Sequence, residues 1–336
     1  MRILVIGGTR FVGRHLVTAA VEAGHEVTVL HRGLGCEGSR HFEHLHADRD
    51  ANLDVLAGRQ WDATVDVCAY WPRQVAALAD ALGERGGRHA LISTVSAYAD
   101  TPEPGMDEQA PTVAPLGLDG DTPHTEAPPI DPHNYGGLKV GCEHVAQRRY
   151  AGGLLVIRPT YIVGPHDPTA RFGYWVDRLA RGGQVLAPGN PQAPFQCVDA
   201  RDLGRFVVGL LGAGDEGTFH VVDPEPPYSF ADMLAEVGAA VAPADLELVW
   251  VPSGWLADRG VTPAMLGLWT GSDRPEFVLA MDPARAVCAG LHPRPLTDTA
   301  RDTWAWLSDP SSRWAARGGL LSADREAALL SRWAAR

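Results

Sequence analysis

What the chain lacks limits it first. No apolar run approaches the ~20 residues of a membrane-spanning helix. The opening "MRILVIGG" has neither the longer apolar stretch nor the small-residue cleavage site of a secretory signal. No membrane partner and a cytoplasmic location are therefore expected. The five cysteines, Cys36, Cys68, Cys142, Cys197 and Cys288, are scattered and form no CxxC pair. Neither a disulfide framework nor a zinc site is indicated. Basic charge is scarce: 29 Lys and Arg stand against 41 Asp and Glu, a formal net charge of −12. Nucleic-acid binding needs clustered cations to neutralise phosphates, so no nucleic-acid partner is expected. "HFEHLHAD" gathers His41, His44 and His46, but the spacing matches no standard ligand set and no metal is expected.

What is present is core-forming material, 45% hydrophobic over 336 residues, enough for one large or two moderate domains. Apolar runs alternate with helical patterns: "RILVI", "EVTVL", "FEHLHA", "ATVDVCA", "HALISTVSA" and "LLVIRPT" read as strands, with helices such as "RFVGRHLVTAAVEAG" and "RQVAALADALGE" between them. Strands this apolar, separated by helices, predict a parallel sheet covered on both faces, an α/β doubly wound fold. Residues 1–165 read as a dinucleotide-binding core. Residues 166–336 read as mostly a smaller substrate-binding domain, with elements returning to the core. Residues 100–133, rich in Pro, Asp and Gly, break the alternation on the side where strands end, and read as a substrate-facing flap.

"VIGGTRFVG" places Gly7, Gly8, Thr9, Arg10, Phe11, Val12 and Gly13 between the first strand and first helix. Gly7 suits a tight turn and Gly13 a close helix–sheet approach, leaving the helix N-terminus free for a pyrophosphate. The second strand ends in "VTVLHRG". His31 and Arg32 stand where an acid would bind both ribose hydroxyls of NAD. A guanidinium there can grip a 2′-phosphate, with Arg10 on its other side. NADP(H) is therefore expected in preference to NAD(H). Asp48 is a candidate for the adenine amino group, and Ala69, after the fourth strand, for the cofactor wall.

"HNYGGLKVGCEHVA" puts Tyr135 and Lys139 four apart, on one helical face. A neighbouring ammonium would lower a phenol pKa of ~10 and let Tyr135 exchange a proton with a substrate oxygen. Gly136 and Gly137, unfavourable inside a helix, imply that something packs close to its backbone. In "ALISTVSAYAD", Ser93, Thr94 and Ser96 are candidate hydroxyls for holding the substrate oxygen. Tyr70, Trp71, Tyr174 and Trp175 are candidates for an aromatic pocket, and His166 for a substrate contact. The tryptophans, Trp71, Trp175, Trp304 and Trp306 among them, read first as core or rim, with the pocket as the alternative for Trp71 and Trp175.

Together these residues resemble the extended and atypical short-chain dehydrogenase/reductase superfamily, in the NAD-dependent epimerase/dehydratase group. "GGTRFVG" is similar to that family's "TGGTGFIG", "STVSAYA" to "SSxxVYG", and "YGGLK" to YxxxK. "IRPTYIVGP" is similar to "LRPxxVYGP", and "FQCVDARDLGRFV" to "FVHVDDVARA". The resemblance implies a Rossmann fold with a small C-terminal domain and a homodimer. It also implies a catalytic set of Thr94, Tyr135 and Lys139, with Pro159 and Thr160 against the nicotinamide and Asp199 and Asp202 orienting the framework. The flavour is that of a "GGTRF" branch that includes plastid RNA-associated proteins without the catalytic residues, which this chain keeps. The resemblance implies an NADPH-dependent reductase or dehydrogenase acting on a carbonyl, hydroxyl or imine carbon of a small metabolite. A sugar-nucleotide epimerase with tightly bound NAD(P) and a non-catalytic binding protein are the alternatives. A dehydratase is disfavoured because no Asp-Glu pair follows Thr94.

Overall fold

Four of the five residues of "RILVI" have almost no exposure. A strand so apolar can persist only with both faces covered, and helices cover them. The computed structural model describes residues 1–33, 42–99, 101–117, 129–150, 152–312 and 319–336. In chain order the first half holds β1 (Arg2–Ile6), α1 (Phe11–Glu22), β2 (Glu26–His31), β3 (Glu43–His46), β4 (Ala63–Asp66), α2 (Pro72–Leu82), β5 (Arg88–Ile92), α3 (Tyr135–Arg149) and β6 (Leu154–Pro159). There follow β7 (Tyr161–Val163), α4 (Arg171–Ala180), β8 (Gln184–Pro188), β9 (Cys197–Asp199), α5 (Ala200–Ala213), β10 (Gly217–Val221), α6 (Phe230–Val241) and β11 (Glu247–Val251). Helices α7 (Ser253–Ala257), α8 (Ala284–Cys288), α9 (Leu296–Ser308) and α10 (Ala323–Ala334) complete it.

Among the described residues, seven strands form a sheet in the order β10-β6-β5-β4-β1-β2-β3, every pair parallel. This is the Rossmann-like α/β fold expected. Helices α1 and α5 pack on one face through a cluster that includes Leu16, Val207 and Leu211. Helices α2 and α3 cover the other, where Leu78, Leu82 and Cys142 are buried. A further cluster, centred on Phe172, Trp175, Phe195 and Leu234, joins α4, α6 and β8. No helix among the described residues is long and apolar enough to cross a membrane.

The second half returns to the sheet through β10, which pairs with β6. Two aspartates pin that return. Asp199 caps α5, accepting from the Arg201 backbone N–H at 2.8 Å and from Thr299 Oγ1 at 2.8 Å. Asp202 accepts from the Arg294 backbone and guanidinium. Both therefore tie α5 to the approach and start of α9.

Charge is buried beneath the strand ends. Glu143 on α3 receives Arg158 Nε at 3.0 Å and Nη2 at 2.5 Å, and the Ser93 hydroxyl as well. Arg158 Nη1 also donates to Tyr98 Oη at 2.7 Å. Removing one partner of such a pair strands the other charge without water. Glu143→Ala is therefore expected to lower unfolding free energy by about 3–5 kcal/mol, measured by urea denaturation. A loss under about 1 kcal/mol would show that Arg158 does not depend on this carboxylate.

Candidate active site

The carboxyl ends of the parallel strands open into one cavity of about 1670 Å³. That exceeds the ~300–1,000 Å³ of a pocket for one small ligand. It is lined by residues following β1, β2, β3, β4, β5 and β6, and it spans the reversal of strand order between β1 and β4. In open α/β sheets, ligands bind there.

At one end, Gly7 turns the chain after β1 with φ of +88°, a conformation that strains any side chain. A Cβ on Gly13 would stand 2.2 Å from the Gly7 carbonyl oxygen, so α1 starts directly against the turn. No acidic residue occupies its first turn, and its N-cap, Arg10, makes no side-chain capping bond. The first N–H groups are thus available to an anion. Gly7, Thr9, Arg10, Phe11 and Val12 line the cavity, whereas Gly8 is packed against Val17 and Val29. Arg10 and Arg32 are both exposed at this end of the lining. His31 also lines it. Its Nδ1 accepts from the Gly33 N–H at 2.9 Å, and its Nε2 lies 3.0 Å from His44 Nδ1. Asp48 is part of the same wall. Farther along are Pro159 and Thr160, whose buried Oγ1 has no partner among the described residues. An uncapped helix N-terminus, a turn without room for a side chain and an orphaned hydroxyl together fit a dinucleotide.

Ala69 does not reach the cavity. It is wholly buried among Val75, Leu91 and Cys142, and its carbonyl accepts from Lys139. His166 packs between the rings of His15 and Trp306. Tyr174 and Trp175 point into the core of the second half, although Tyr70 and Trp71 do line the cavity. Periodicity places aromatics on a helix, but the packed neighbour decides which face turns inward. Of the flap, Ile130 and Pro132 line the cavity, while residues 100 and 118–128 lie outside the described residues, as do Cys36 and His41.

In the middle stand Thr94 and Tyr135. Thr94 ends the β5 segment, and its Oγ1 accepts from the Ser96 N–H at 3.1 Å. Tyr135 opens α3, so both hydroxyls belong to one wall. The glycines after Tyr135 allow this. A Cβ on Gly136 would lie 2.1 Å from the Ser96 carbonyl oxygen, and one on Gly137 2.7 Å from Leu116 Cγ. Lys139, the chain's only lysine, is buried and donates to the carbonyls of Ala69 at 2.7 Å and Ile92 at 2.6 Å.

The electrostatics differ from expectation. Burial pushes the Tyr135 phenol above its ordinary value. Thr94 beside it and the charge of Arg171 oppose the shift, and Lys139 is not among its influences. The lysine's hydrogens are donated to the backbone carbonyls at the strand ends.

Sequence reading missed Arg49, Tyr161, Arg171 and Trp269, which also line the cavity. Arg49 grips Asp66 through Nη1 at 2.6 Å and Nη2 at 2.7 Å. Burial opposes the charge on Asp66, yet Arg49 holds its carboxyl below the usual range. The signal for Arg49 was its place directly after Asp48. Tyr161 lies within "IRPTYIVGP", directly after Thr160, whereas Arg171 and Trp269 come from the second half, where no motif marks them.

Residues 3–222 match the NAD dependent epimerase/dehydratase family. The chain belongs to this family. The family's description names nicotinamide-dependent epimerases and dehydratases. Among curated relatives, the chloroplast stem-loop binding protein of 41 kDa b of Arabidopsis thaliana is 25% identical over 229 residues. That match covers 63% of this chain and spans about half, 55%, of the relative. The 2'-dehydrokanamycin reductase of Streptomyces kanamyceticus is 26% identical over 272 residues, 77% of this chain and 72% of that one. The UDP-glucuronic acid 4-epimerase of Bacillus cereus, solved with NAD, shares the fold with a TM-score of 0.64 at 15% identity, covering 91% and 98% of the two chains. The human epimerase family protein SDR39U1 (isoform 2), solved with NADPH, has a TM-score of 0.60 at 20% identity, covering 91% and 99%.

The close approach at Gly136 gives a direct test of how this family member brings Thr94 to Tyr135. Gly136→Ala is expected to destabilise by about 1–3 kcal/mol through overpacking. Gly209→Ala on α5, where a Cβ meets open space, is expected to be neutral or to stabilise by up to about 1 kcal/mol. Chemical denaturation of both variants checks this. Equal effects would mean that the Ser96 contact imposes nothing.

Proposed function

We propose that this protein is an NADPH-dependent reductase, or the reverse dehydrogenase, acting on a carbonyl or imine carbon of a small metabolite. One observation carries this reading: a neutral Tyr135 phenol beside Thr94, on the wall of a cavity whose other end is an uncapped helix N-terminus. Gly7 to Val12 would hold the pyrophosphate and Asp48 the adenine amino group. Arg10 and Arg32 would flank the 2′-phosphate, and Pro159 with Thr160 would meet the nicotinamide. When bound, the nicotinamide supplies the hydride to the substrate carbon or takes it back. Thr94 donates a hydrogen bond to the substrate oxygen. Tyr135 gives that oxygen its proton in reduction and receives it in oxidation. Lys139 keeps α3 seated on the strand ends, which aims the phenol. The NADP preference is supported by the missing acid after β2, by the two exposed arginines on the lining and by a fold neighbour solved with NADPH. A sugar-nucleotide epimerase is the second reading, supported by a fold neighbour solved with NAD. Purification with stoichiometric bound NAD would favour it.

Two measurements test the proposal. In fluorescence titration NADPH is expected to bind at least about tenfold tighter than NADH, and Arg10→Ala with Arg32→Ala to remove most of that difference. Equal affinities in the unmodified protein would overturn the cofactor assignment. Tyr135→Phe is expected to lower turnover about 10²–10⁴-fold while NADPH affinity is kept. Because burial raises the phenol pKa, the proton donor persists as pH rises through neutrality. Reduction is therefore expected to hold through neutral pH and to fall only above the ordinary phenol value of ~10. A fall already near neutrality would exclude Tyr135 as the donor.

A further inference from the structure

Four arginines line the cavity, and three are accounted for. Arg10 and Arg32 stand at the α1 end, and Arg49 is taken up by Asp66. The fourth, Arg171, opens α4 in the half beyond Tyr135. Its position is built rather than incidental. A Cβ on Gly267 would stand 2.5 Å from the Arg171 carbonyl oxygen, so the 267–269 segment is pressed onto the Arg171 backbone. That contact is locked by Trp175 Nε1, which donates to the Gly267 carbonyl at 2.6 Å. The side chain is also aimed. Arg171 Nε donates to Thr169 Oγ1 at 3.1 Å, and Thr169 is held by the Asp167 carboxylate at 2.7 and 2.9 Å. The guanidinium carbon lies 5.1 Å over the Tyr161 ring. Among the described residues no carboxylate pairs with Arg171, whose side-chain hydrogen bond runs from Nε to Thr169, and its two terminal nitrogens have no acceptor there.

The surroundings limit what those nitrogens could take. The walls nearby are aromatic and apolar: Tyr161, Leu268, Trp269, Val278 and Leu279. Exposed Glu276 is the one carboxylate on this part of the described lining, and it disfavours a ligand of high negative charge. A diphosphate carries more charge than one guanidinium can match. We propose that Arg171 is the anion anchor of a substrate subsite for a compact carbonyl compound bearing one acidic group, a carboxylate or a phosphate monoester. Its apolar or aromatic body would lie against Tyr161 and Trp269. This rests on the reading of Tyr135 as the proton donor, because a group held by Arg171 brings a neighbouring carbonyl to that phenol. The influence of Arg171 on Tyr135 agrees with such closeness. It also weighs against a nucleotide-sugar substrate.

The test uses benzoate, phenyl phosphate and neutral benzamide as probes, titrated calorimetrically into the free protein and into its NADPH complex. At least one anion is expected to bind about tenfold or more tighter than benzamide, as a charge-assisted bidentate contact requires. Arg171→Gln is expected to erase that preference and leave benzamide and NADPH binding unchanged. Arg171→Lys is expected to keep part of it. The tighter of the two anions tells carboxylate from phosphate monoester. Thermal melting of each variant confirms that it is folded. Equal or absent binding of all three probes, or a preference that survives Arg171→Gln, overturns the proposal. Failure of the reductase reading shows separately, as absent NADPH binding or full turnover by Tyr135→Phe, because the anion titrations on free protein depend on neither.

Discussion

A buried ammonium organises the carboxyl edge of the sheet. Lys139 is 3% exposed and its hydrogens go to the carbonyls of Ala69 and Ile92, after β4 and at the end of β5. Burying a charge is costly unless its donors are satisfied and an opposite charge is near. The two carbonyls meet the first condition, and the wholly buried carboxylate of Asp66, within the electrostatic reach of Lys139, contributes to the second. Asp66 is shared with Arg49, so two cations and one anion knit β3, β4, β5 and α3 together beneath the cavity. Tyr135, one turn before Lys139, inherits its position from this knot. Burial is the largest influence on that phenol and raises its pKa above the ordinary value.

The same helix explains why the site is rigid. From Gly136 to Cys142 every residue of α3 is buried, and Glu143 is as well. A helix enclosed on all sides must pair its charges internally. Lys139 does so with carbonyls and Glu143 with Arg158, while the glycines admit Ser96 and Leu116 where side chains would not fit. Thr94, two residues before the Ser96 carbonyl that meets Gly136, is thereby brought to the phenol.

Charge is distributed unevenly along the cavity. Exposed arginines mark the α1 end, a neutralised arginine sits in the middle, and one oriented arginine stands among aromatic side chains at the far end. A protein with a net charge of −12 thus concentrates cations where anionic ligand groups would rest. Attraction inside a partly desolvated cleft is stronger than on an open surface.

Much of the fold was legible because a buried parallel strand needs an unbroken apolar run and a tight turn needs glycine, and both are local properties. Hence "RILVIGG" read directly as strand and turn, and "YGGLK" as a helix face pressed by a neighbour. The partners of charged groups were not legible. Arg49 and Asp66 meet through strands that sequence spacing does not place side by side, and Lys139 faces carbonyls, which leave no trace in residue identity. Trp175 read first as core, with a pocket as the alternative for it and for Tyr174, and the packing of α6 and the 267–269 segment decided for the core. By itself, then, the sequence determined the strands and the glycine turn, and marked Thr94, Tyr135 and Lys139 as candidates. Only the tertiary structure decided which charge meets which, and brought Arg171 and Trp269 to the same cavity, because those contacts, such as Lys139 with Ala69 and Trp175 with Gly267, join segments that no local sequence pattern relates.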